Sequence, residues 1–194
     1  MTAMKEERPM KEDMQQVLDR ADRLFDLSET EAAISRMAGQ ITEDLAGTDP
    51  IVLVVMNGGL IPAGHLLTRL DFPLRLDYIH ATRYREQTRG GAMNWRKRHE
   101  QSLEGRTVLI VDDILDEGVT LAEIVAVCRE ERPARLLTAV LCRKRHARHN
   151  GFQCDYIGLE VDDRYVFGYG MDYKGYWRNA PGIFALAEAD HAAG

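Results

Sequence analysis

Three aspartates, Asp112, Asp113 and Asp116, stand close together in the middle of the chain, and Gly118 and Thr120 follow them directly. Carboxylate oxygens are ligands that Mg²⁺ prefers. A turn that contains glycine and opens a helix leaves backbone N–H groups free to bind a phosphate. Adjacent carboxylates would repel a bare anion, but a bound dication reverses that repulsion. These residue types therefore indicate a site for a phosphorylated ligand that carries Mg²⁺.

The flanking residues predict the elements that position this loop. Residues 107–111 are apolar and mostly β-branched, which is typical of a strand that is buried on both faces. Leu121, Ile124, Val125 and Cys128 recur at the spacing of one face of a helix. The acidic loop is thus predicted to lie where a buried strand gives way to a helix.

Strand and helix patterns alternate along most of the chain, and the segment Ser28–Glu31 has the pattern of a capping box. The remaining predicted elements are helices at 17–25, 28–47 and 60–70, and strands at 51–56, 74–81, 136–142, 156–161 and 165–168. Such alternation predicts an α/β fold with a mostly parallel twisted sheet flanked by helices. We expect a single domain over residues 1–194, with residues 1–12 frayed. Residues 82–104 are predicted to form a mobile active-site loop with a weak hairpin around Trp95.

Composition excludes several classes of function. The chain has 194 residues, of which 45% are hydrophobic, and its net charge of −6 offers nucleic acid or an anionic membrane no general attraction. The three cysteines show no CxxC pairing, and their odd number argues against a disulfide framework. The first residues lack the apolar core of a signal peptide, and no apolar run approaches the length of a membrane span. We expect a cytoplasmic protein with no membrane and no nucleic-acid partner.

The acidic pattern alone fits more than one family. It matches the aspartate box of isoprenoid diphosphate synthases, but there the aspartates lie on a helix, and no strand leads into them. Receiver domains carry a strand-end acidic pair near the N-terminus rather than after a hundred residues. Residues 108–120 instead resemble the 5-phosphoribosyl-1-diphosphate (PRPP) binding motif of type I phosphoribosyltransferases. In that motif four apolar residues, two acids and two apolar residues precede Asp-x-Gly-x-Thr.

Further segments resemble the hypoxanthine-guanine branch of that family. Residues 56–59, Met-Asn-Gly-Gly, are similar to its first active-site loop. The other similar segments are 141–145, 155–160, 165–173 and 177–178. The resemblance implies the type I phosphoribosyltransferase fold, with a small hood formed by terminal segments. It also implies a homodimer or homotetramer.

What the resemblance implies chemically is transfer of ribose 5-phosphate from PRPP to N9 of hypoxanthine or guanine, giving IMP or GMP and diphosphate. Mg²⁺ is the implied cofactor, with contacts from Asp112, Asp113 and Asp172, and Asp116 is the implied catalytic carboxylate that faces purine N7. The implied purine contacts are Lys144, Tyr165, Val166 and Asp172. The implied PRPP contacts are Asp112, Asp113, Asp116, Glu117, Gly118, Val119, Thr120, Asn57, Gly58, Gly59, Arg178 and Tyr84.

Several of these residues also have plainer interpretations. Asp116 fits a helix N-cap, and Tyr165 fits an aromatic of a buried strand. Taken alone, Asp172 and Arg178 fit surface charges. An ammonium such as that of Lys144 has no acceptor for a 6-amino group, so its implied role is to select 6-oxopurines.

The basic run 143–149 is otherwise interpreted as a solvated charged loop. With no third metal ligand evident, His146 and His149 are predicted to be exposed loop histidines.

Four positions depart from the pattern of the family. Asn57 and Val119 stand where lysines are usual, Glu117 stands for threonine, and arginine replaces serine before Tyr84. A carboxylate beside a phosphate repels it, so we expect the loop backbone, rather than the Glu117 side chain, to hold the ligand. Tyr84 is expected to close over the reacting centre and exclude water.

A second interpretation of the same fold is a nucleotide-sensing regulator that binds RNA. The acidic net charge and the single short basic run disfavour a large nucleic-acid surface. An isoprenoid-type enzyme would be mostly helical, whereas the pattern here predicts mixed α/β structure.

Overall fold

A computed structural model of the chain describes residues 11–83, 93–148 and 150–191. The elements in chain order are α1 (Lys11–Arg20), β1 (Asp22–Phe25), α2 (Leu27–Leu45), β2 (Ile51–Met56), α3 (Leu60–Leu67), β3 (Arg75–Arg83), β4 (Met93–Lys97), β5 (Thr107–Leu115), α4 (Val119–Glu130), β6 (Arg135–Arg145), β7 (Tyr156–Asp162), β8 (Val166–Phe167), β9 (Ile183–Ala185) and α5 (Glu188–His191).

The apolar runs of β2 and β5 lie in the middle of a six-stranded sheet of order β4-β3-β2-β5-β6-β7. Strands β3, β2, β5, β6 and β7 are parallel, and β4 pairs antiparallel at one edge. A central parallel strand is buried on both faces, which explains why its apolar residues are continuous rather than alternating. The predicted α/β class and mostly parallel sheet are confirmed. The carboxyl ends of β2, β5 and β6 therefore lie side by side at one edge.

Helices cover both faces of this sheet. On one face α2 and α3 pack Ile34, Ile41 and Leu66 against the sheet, and all three are fully buried. On the other face α4 packs Ile124 and Cys128 against the opposite side chains of the same strands. The helical stripe predicted after the acidic loop is thus the core-facing side of α4.

The hood is a second, three-stranded antiparallel sheet of order β1-β9-β8, built from segments near the two ends of the described chain. Phe167 is fully buried there and stacks on Phe184, with ring centroids 5.7 Å apart. The indole N–H of Trp177 donates to the carbonyl of Met14 in α1 at 2.8 Å. The terminal segments thus form the hood that the resemblance implied.

The structure corrects several predicted boundaries. The predicted helix 17–25 is wrong beyond Arg20, because residues 22–25 form β1 of the hood. The capping box involves Asp26 and Glu29, two residues earlier than predicted. Residues 11 and 12 of the segment predicted to be frayed form the start of α1, and residues 1–10 lie outside the described residues.

The long loop and the central strand also differ from prediction. Strand β5 does not stop at Val111 but continues through Asp112 and Asp113 to Leu115. Within the predicted loop 82–104, β4 pairs with the end of β3 and Trp95 faces Ala81, so the weak hairpin is confirmed. Residues 84–92 of that loop lie outside the described residues. No described helix combines the length and apolarity that crossing a membrane requires.

The carboxylate of Glu31 in α2 connects the hood to the main sheet. It accepts hydrogen bonds from the Tyr169 hydroxyl, just after β8, and from Arg69, and it lies 2.7 Å from His65 Nδ1 in α3. Partial burial raises the pKa of Glu31, but the hydrogen bond from Tyr169 and the charges of His65 and Arg69 outweigh it. The net effect is a lowered pKa.

Replacing Glu31 with glutamine should lower the free energy of unfolding by roughly 1–3 kcal/mol near neutral pH, because Arg69 loses its charged acceptor. Since the folded-state pKa is the lower one, this contribution is complete above the unfolded value near 4.5. It is lost as the pH falls through the folded-state value. Urea unfolding of both proteins at about pH 7 and about pH 3 measures the difference. Glu43→Gln, exposed on the same helix, is the control, and a Glu31→Gln deficit that does not shrink in acid would contradict the assignment.

Candidate active site

The first active-site loop packs directly on the acidic end of β5. It follows β2, the parallel neighbour of β5, and begins with a cis peptide bond between Met56 and Asn57. A Cβ atom on Gly58 would lie within 2.8 Å of both carboxylate oxygens of Asp113. A Cβ atom on Gly59 would lie 2.7 Å from backbone carbonyls of β2 and β5. Both positions therefore require glycine, and the structure brings Gly58 against the Asp113 carboxylate and Gly59 against the backbone of β2 and β5.

Asp112, which is buried, and Asp113, whose side chain is 13% exposed, form a pair of adjacent carboxylates. The Asp113 N–H donates to Asp112 Oδ1 at 2.9 Å, and the Ile114 N–H donates to Asp113 Oδ1 at 2.8 Å. Burial raises the pKa of both carboxyls, and the charge of Asp113 raises that of Asp112 further. A nearby cation is needed to keep both ionised, and Arg178 supplies one at 4.0 Å from Asp113 Oδ2.

Arg178 belongs to the hood side of the site. Its guanidinium donates to Asp172 Oδ1 at 2.5 Å and to the carbonyl of Gly170 at 2.6 Å. The other oxygen of Asp172 accepts from the Gly175 N–H at 2.7 Å. Asp172 and Arg178 are therefore not isolated surface charges, and Arg178 bridges Asp172 and Asp113.

The residues present fit a magnesium ion that is shared with a ligand. Among residues 11–83, 93–148 and 150–191, no group of three or more histidine, cysteine or acidic side chains could enclose a metal ion by itself. Mg²⁺ commonly uses one or two carboxylates and completes its octahedron with water and substrate phosphates. The adjacent carboxylates of Asp112 and Asp113, with their raised pKa values, supply such an incomplete site.

A second group of side chains surrounds Asp116, which follows β5. Lys144 Nζ donates to Asp116 Oδ2 at 2.8 Å, and His146 Nε2 lies 2.7 Å from Asp116 Oδ1. Partial burial raises the pKa of Asp116, but the hydrogen bonds from Lys144 and His146 outweigh it, and the net pKa is lowered. Asp116 is thus an ionised carboxylate held between two donors.

His146 is the residue that sequence reasoning missed. It was predicted to be exposed, but only 4% of its side chain is accessible, so that prediction is wrong. The only sequence signal was its spacing of two from Lys144, which puts both on one face if β6 is extended to this point. His149 lies outside the described residues. An open cavity of about 380 Å³ borders this group, and its lining includes Leu115, Lys144 and His146.

Helix α4 begins at the acidic loop without a side-chain cap. Its N-cap is Gly118, with φ of 83°, so the alternative interpretation of Asp116 as the N-cap is wrong. The first turn, which contains Val119 and Thr120, leaves backbone N–H groups without helical partners. The Glu117 side chain is 53% exposed and lies 3.9 Å from Arg148 Nε, as expected if it points away from the ligand.

The remaining predicted purine contacts lie at the start of β8. Val166 is buried and pairs with Ala185 of β9. Tyr165 precedes the strand, its hydroxyl donates to the Asp172 carbonyl at 3.1 Å, and its ring meets Tyr173 edge-on. It is partly exposed, unlike a typical core aromatic. The predicted lid residue Tyr84 lies outside the described residues.

This sheet order and acidic strand end define a class of protein. Residues 20–174 match the model of the phosphoribosyl transferase domain, and the chain belongs to that family.

Individual relatives indicate a branch within this family. The chain is 32% identical to a hypoxanthine-guanine-xanthine phosphoribosyltransferase of Tritrichomonas foetus, over 94% of this chain and 97% of the relative. It is 30% identical to the hypoxanthine-guanine phosphoribosyltransferase of Bacillus subtilis, over 93% and 97%. A solved hypoxanthine phosphoribosyltransferase from Staphylococcus aureus superposes with a TM-score of 0.85 at 26% identity, covering 96% of this chain and 100% of that one. The resemblance inferred from the sequence is confirmed.

Replacing Gly58 with alanine should destabilise the protein by roughly 1–3 kcal/mol, because the new Cβ overlaps the Asp113 carboxylate and forces it to move. Denaturant unfolding measures the effect. Gly64→Ala in α3 is the matched control, since nothing lies within 4 Å of its added Cβ, and alanine favours a helix by up to about 1 kcal/mol. Equal stabilities for the two variants would contradict the close packing of the loop on Asp113.

Proposed function

We propose that the chain transfers ribose 5-phosphate from PRPP to N9 of hypoxanthine or guanine in purine salvage, giving IMP or GMP and diphosphate. The observation that carries this proposal is the contact between Lys144 Nζ and Asp116 Oδ2 at 2.8 Å. The N7 and O6 atoms of a 6-oxopurine are neighbours on one edge of the base. A carboxylate and an ammonium held side by side match that edge when N7 carries a proton and O6 accepts one hydrogen bond.

The proposed transfer reaction uses charged side chains of this protein. The bond between C1′ and the diphosphate oxygen breaks, the electron pair leaves with diphosphate, and positive charge develops on the ribose. Asp112 and Asp113 bind the ribose hydroxyls and stabilise that charge. N9 then bonds to C1′, and the N7 proton passes to Asp116, so the base ends neutral. Arg178 and the backbone N–H of Gly58 bind the diphosphate. The N–H of Gly59 donates to the Val55 carbonyl at 2.9 Å, so Gly59 contributes the close backbone approach rather than a donor.

The other binding roles follow from position. The first turn of α4, at Gly118–Thr120, holds the 5′-phosphate through backbone N–H groups, as helix starts do. Tyr165 stacks on the base, and the backbone of Val166 contacts its edge. Asp112 and Asp113 would hold Mg²⁺, which would supply positive charge to the diphosphate as it leaves. Asp172 would be a second contact to the metal, and Tyr84 would close over the reacting centre and exclude water.

The relatives described above are named as enzymes, so the alternative of an RNA-binding regulator gains no support from them. We propose that the protein acts in the cytoplasm, where its three free thiols stay reduced. We also propose a homodimer or homotetramer, and exposed apolar side chains such as Leu76 and Tyr78 on β3 support it. Light scattering at micromolar concentration measures that state.

A panel of purine bases tests the function directly. Hypoxanthine, guanine, xanthine and adenine are each incubated with PRPP and Mg²⁺, and nucleotide and diphosphate are both measured. Nucleotide from 6-oxopurines with an equal amount of diphosphate is the expected result. Absence of product from every base, together with no calorimetric heat from PRPP at millimolar Mg²⁺, would overturn the proposal.

Asp116→Asn should reduce kcat by roughly two to four orders of magnitude, because the amide cannot accept the N7 proton. PRPP binding, measured by calorimetry with Mg²⁺, should stay within a few-fold of the unmodified protein, since Asp112 and Asp113 remain. Unchanged turnover would remove Asp116 from the chemistry.

Lys144→Ala should weaken the preference for 6-oxo over 6-amino purines by roughly 10- to 100-fold, the cost of losing a charged hydrogen bond to the base. The ratio of kcat/KM for hypoxanthine and adenine measures it, and a general loss of rate does not alter this ratio. Arg135→Ala, at the opposite end of β6 where Arg135 lies 3.9 Å from Asp44, is the control. If discrimination against adenine survives the loss of Lys144, another group selects the 6-oxo group.

A further inference from the structure

His146 lies beside the catalytic carboxylate but has no part in the proposed chemistry. Its side chain is almost fully buried, whereas the side chain of Asp116 is 44% exposed. The two are joined between His146 Nε2 and Asp116 Oδ1 at 2.7 Å. Lys144 uses the other carboxylate oxygen, Oδ2. Each carboxylate oxygen of Asp116 thus has its own partner, an imidazole at Oδ1 and an ammonium at Oδ2.

The hydrogen bonds of His146 fix which ring nitrogen carries the proton. The backbone N–H of Arg148 donates to His146 Nδ1 at 3.1 Å, so Nδ1 is the acceptor and carries a lone pair. Nε2 therefore carries the proton and donates it to Asp116 Oδ1. The backbone donor is itself anchored, because the Arg148 guanidinium forms two hydrogen bonds of 2.7 Å with Asp163. His146 is thus a fixed donor in a defined tautomer.

Lys144 cannot hold the carboxylate in the same way. Its ammonium is a rotatable group at the end of a flexible four-carbon chain. In the proposed reaction another of its three N–H groups donates to the purine 6-oxo group, so Asp116 Oδ2 shares this ammonium with the base. A carboxylate that is nearly half exposed then needs a second partner to keep its orientation.

We propose that His146 is a positioning residue for Asp116, holding Oδ1 so that Oδ2 stays directed at purine N7 while Lys144 also donates to the base. This inference rests on the proposed function. In this role His146 acts through Asp116. Outer partners of this kind typically contribute 10- to 100-fold to the activity of the group that they orient.

A double-mutant cycle tests the inference. His146→Ala should lower kcat/KM for hypoxanthine by about 10- to 100-fold in the unmodified protein. In the Asp116→Asn background the same change should cost less than about threefold, because the positioned carboxylate is already lost. PRPP binding by calorimetry should be unchanged in both backgrounds. Equal losses of activity in the two backgrounds would mean that His146 serves only the structure, and an undiminished rate in His146→Ala would also overturn the proposal.

Two further variants separate positioning from packing. His146→Gln places an amide N–H near the position of Nε2 and should recover most of the lost rate. His99→Ala is the matched control, because His99 is likewise nearly buried and its Nε2 lies 3.1 Å from the Glu131 carboxylate, away from this site. It should lower stability without lowering kcat/KM. A loss of rate in His99→Ala equal to that in His146→Ala would overturn the proposal.

A measurement that does not depend on activity tests the role of His146 separately from the proposed function. The carboxyl carbon of Asp116, assigned by its disappearance in Asp116→Asn, is followed by NMR as pH is lowered without substrate. Loss of the His146 donor should raise the titration midpoint of Asp116, and an unchanged midpoint would refute the contact. If the base panel gives no nucleotide but this midpoint shifts, the proposed function fails while the positioning of Asp116 stands.

Discussion

The electrostatic repulsion between two adjacent carboxylates, Asp112 and Asp113 near the carboxyl end of β5, constrains the rest of the site. Asp112 and Asp113 repel each other, and burial disfavours the charge of each. Such a pair is tolerated where cations approach it, as Arg178 from the hood does at 4.0 Å from Asp113, and the proposed Mg²⁺ would serve the same purpose. The same pair constrains the backbone, because the Asp113 carboxylate fills the space where Gly58 would carry a side chain.

The hood packs closely on the loop that contacts Asp113. A Cβ atom on Gly170, where φ is 113°, would overlap the carbonyl of Gly58, so the segment after β8 rests directly on the first loop. Arg178 then reaches from that segment to Asp113, and Tyr169 reaches from it to Glu31 on α2. The two sheets thus meet at the acidic strand end. A change in the charge of Asp113 therefore affects contacts made by segments that are far apart in the sequence.

The sequence was sufficient for the parts of the fold that depend on apolar periodicity, and it failed where tertiary contacts override that periodicity. Apolar residues define β5 only to Val111, yet hydrogen bonds with β6 keep the polar continuation to Leu115 in the sheet. Residues 22–25 continue a helical apolar pattern, but pairing with β9 draws them into the hood. The acidic motif was predicted because its residue types carry the chemistry by themselves. The role of Asp172 was obscured, because its contacts come from residues that no local pattern connects.

The basic run 143–149 shows how the position of a strand end changes the role assigned to its side chains. Taken as a loop, it is a cluster of equivalent solvated charges. Because β6 extends to Arg145, successive side chains alternate between faces. Arg143 and Arg145 pair with their register partners on β7, Glu160 and Asp162, whereas Lys144 forms an ion pair with the Asp116 carboxylate. Three extra residues of strand thus divide the run into surface ion pairs and a functional group. The chemistry of the site depends on where the strand ends as much as on which residues it contains.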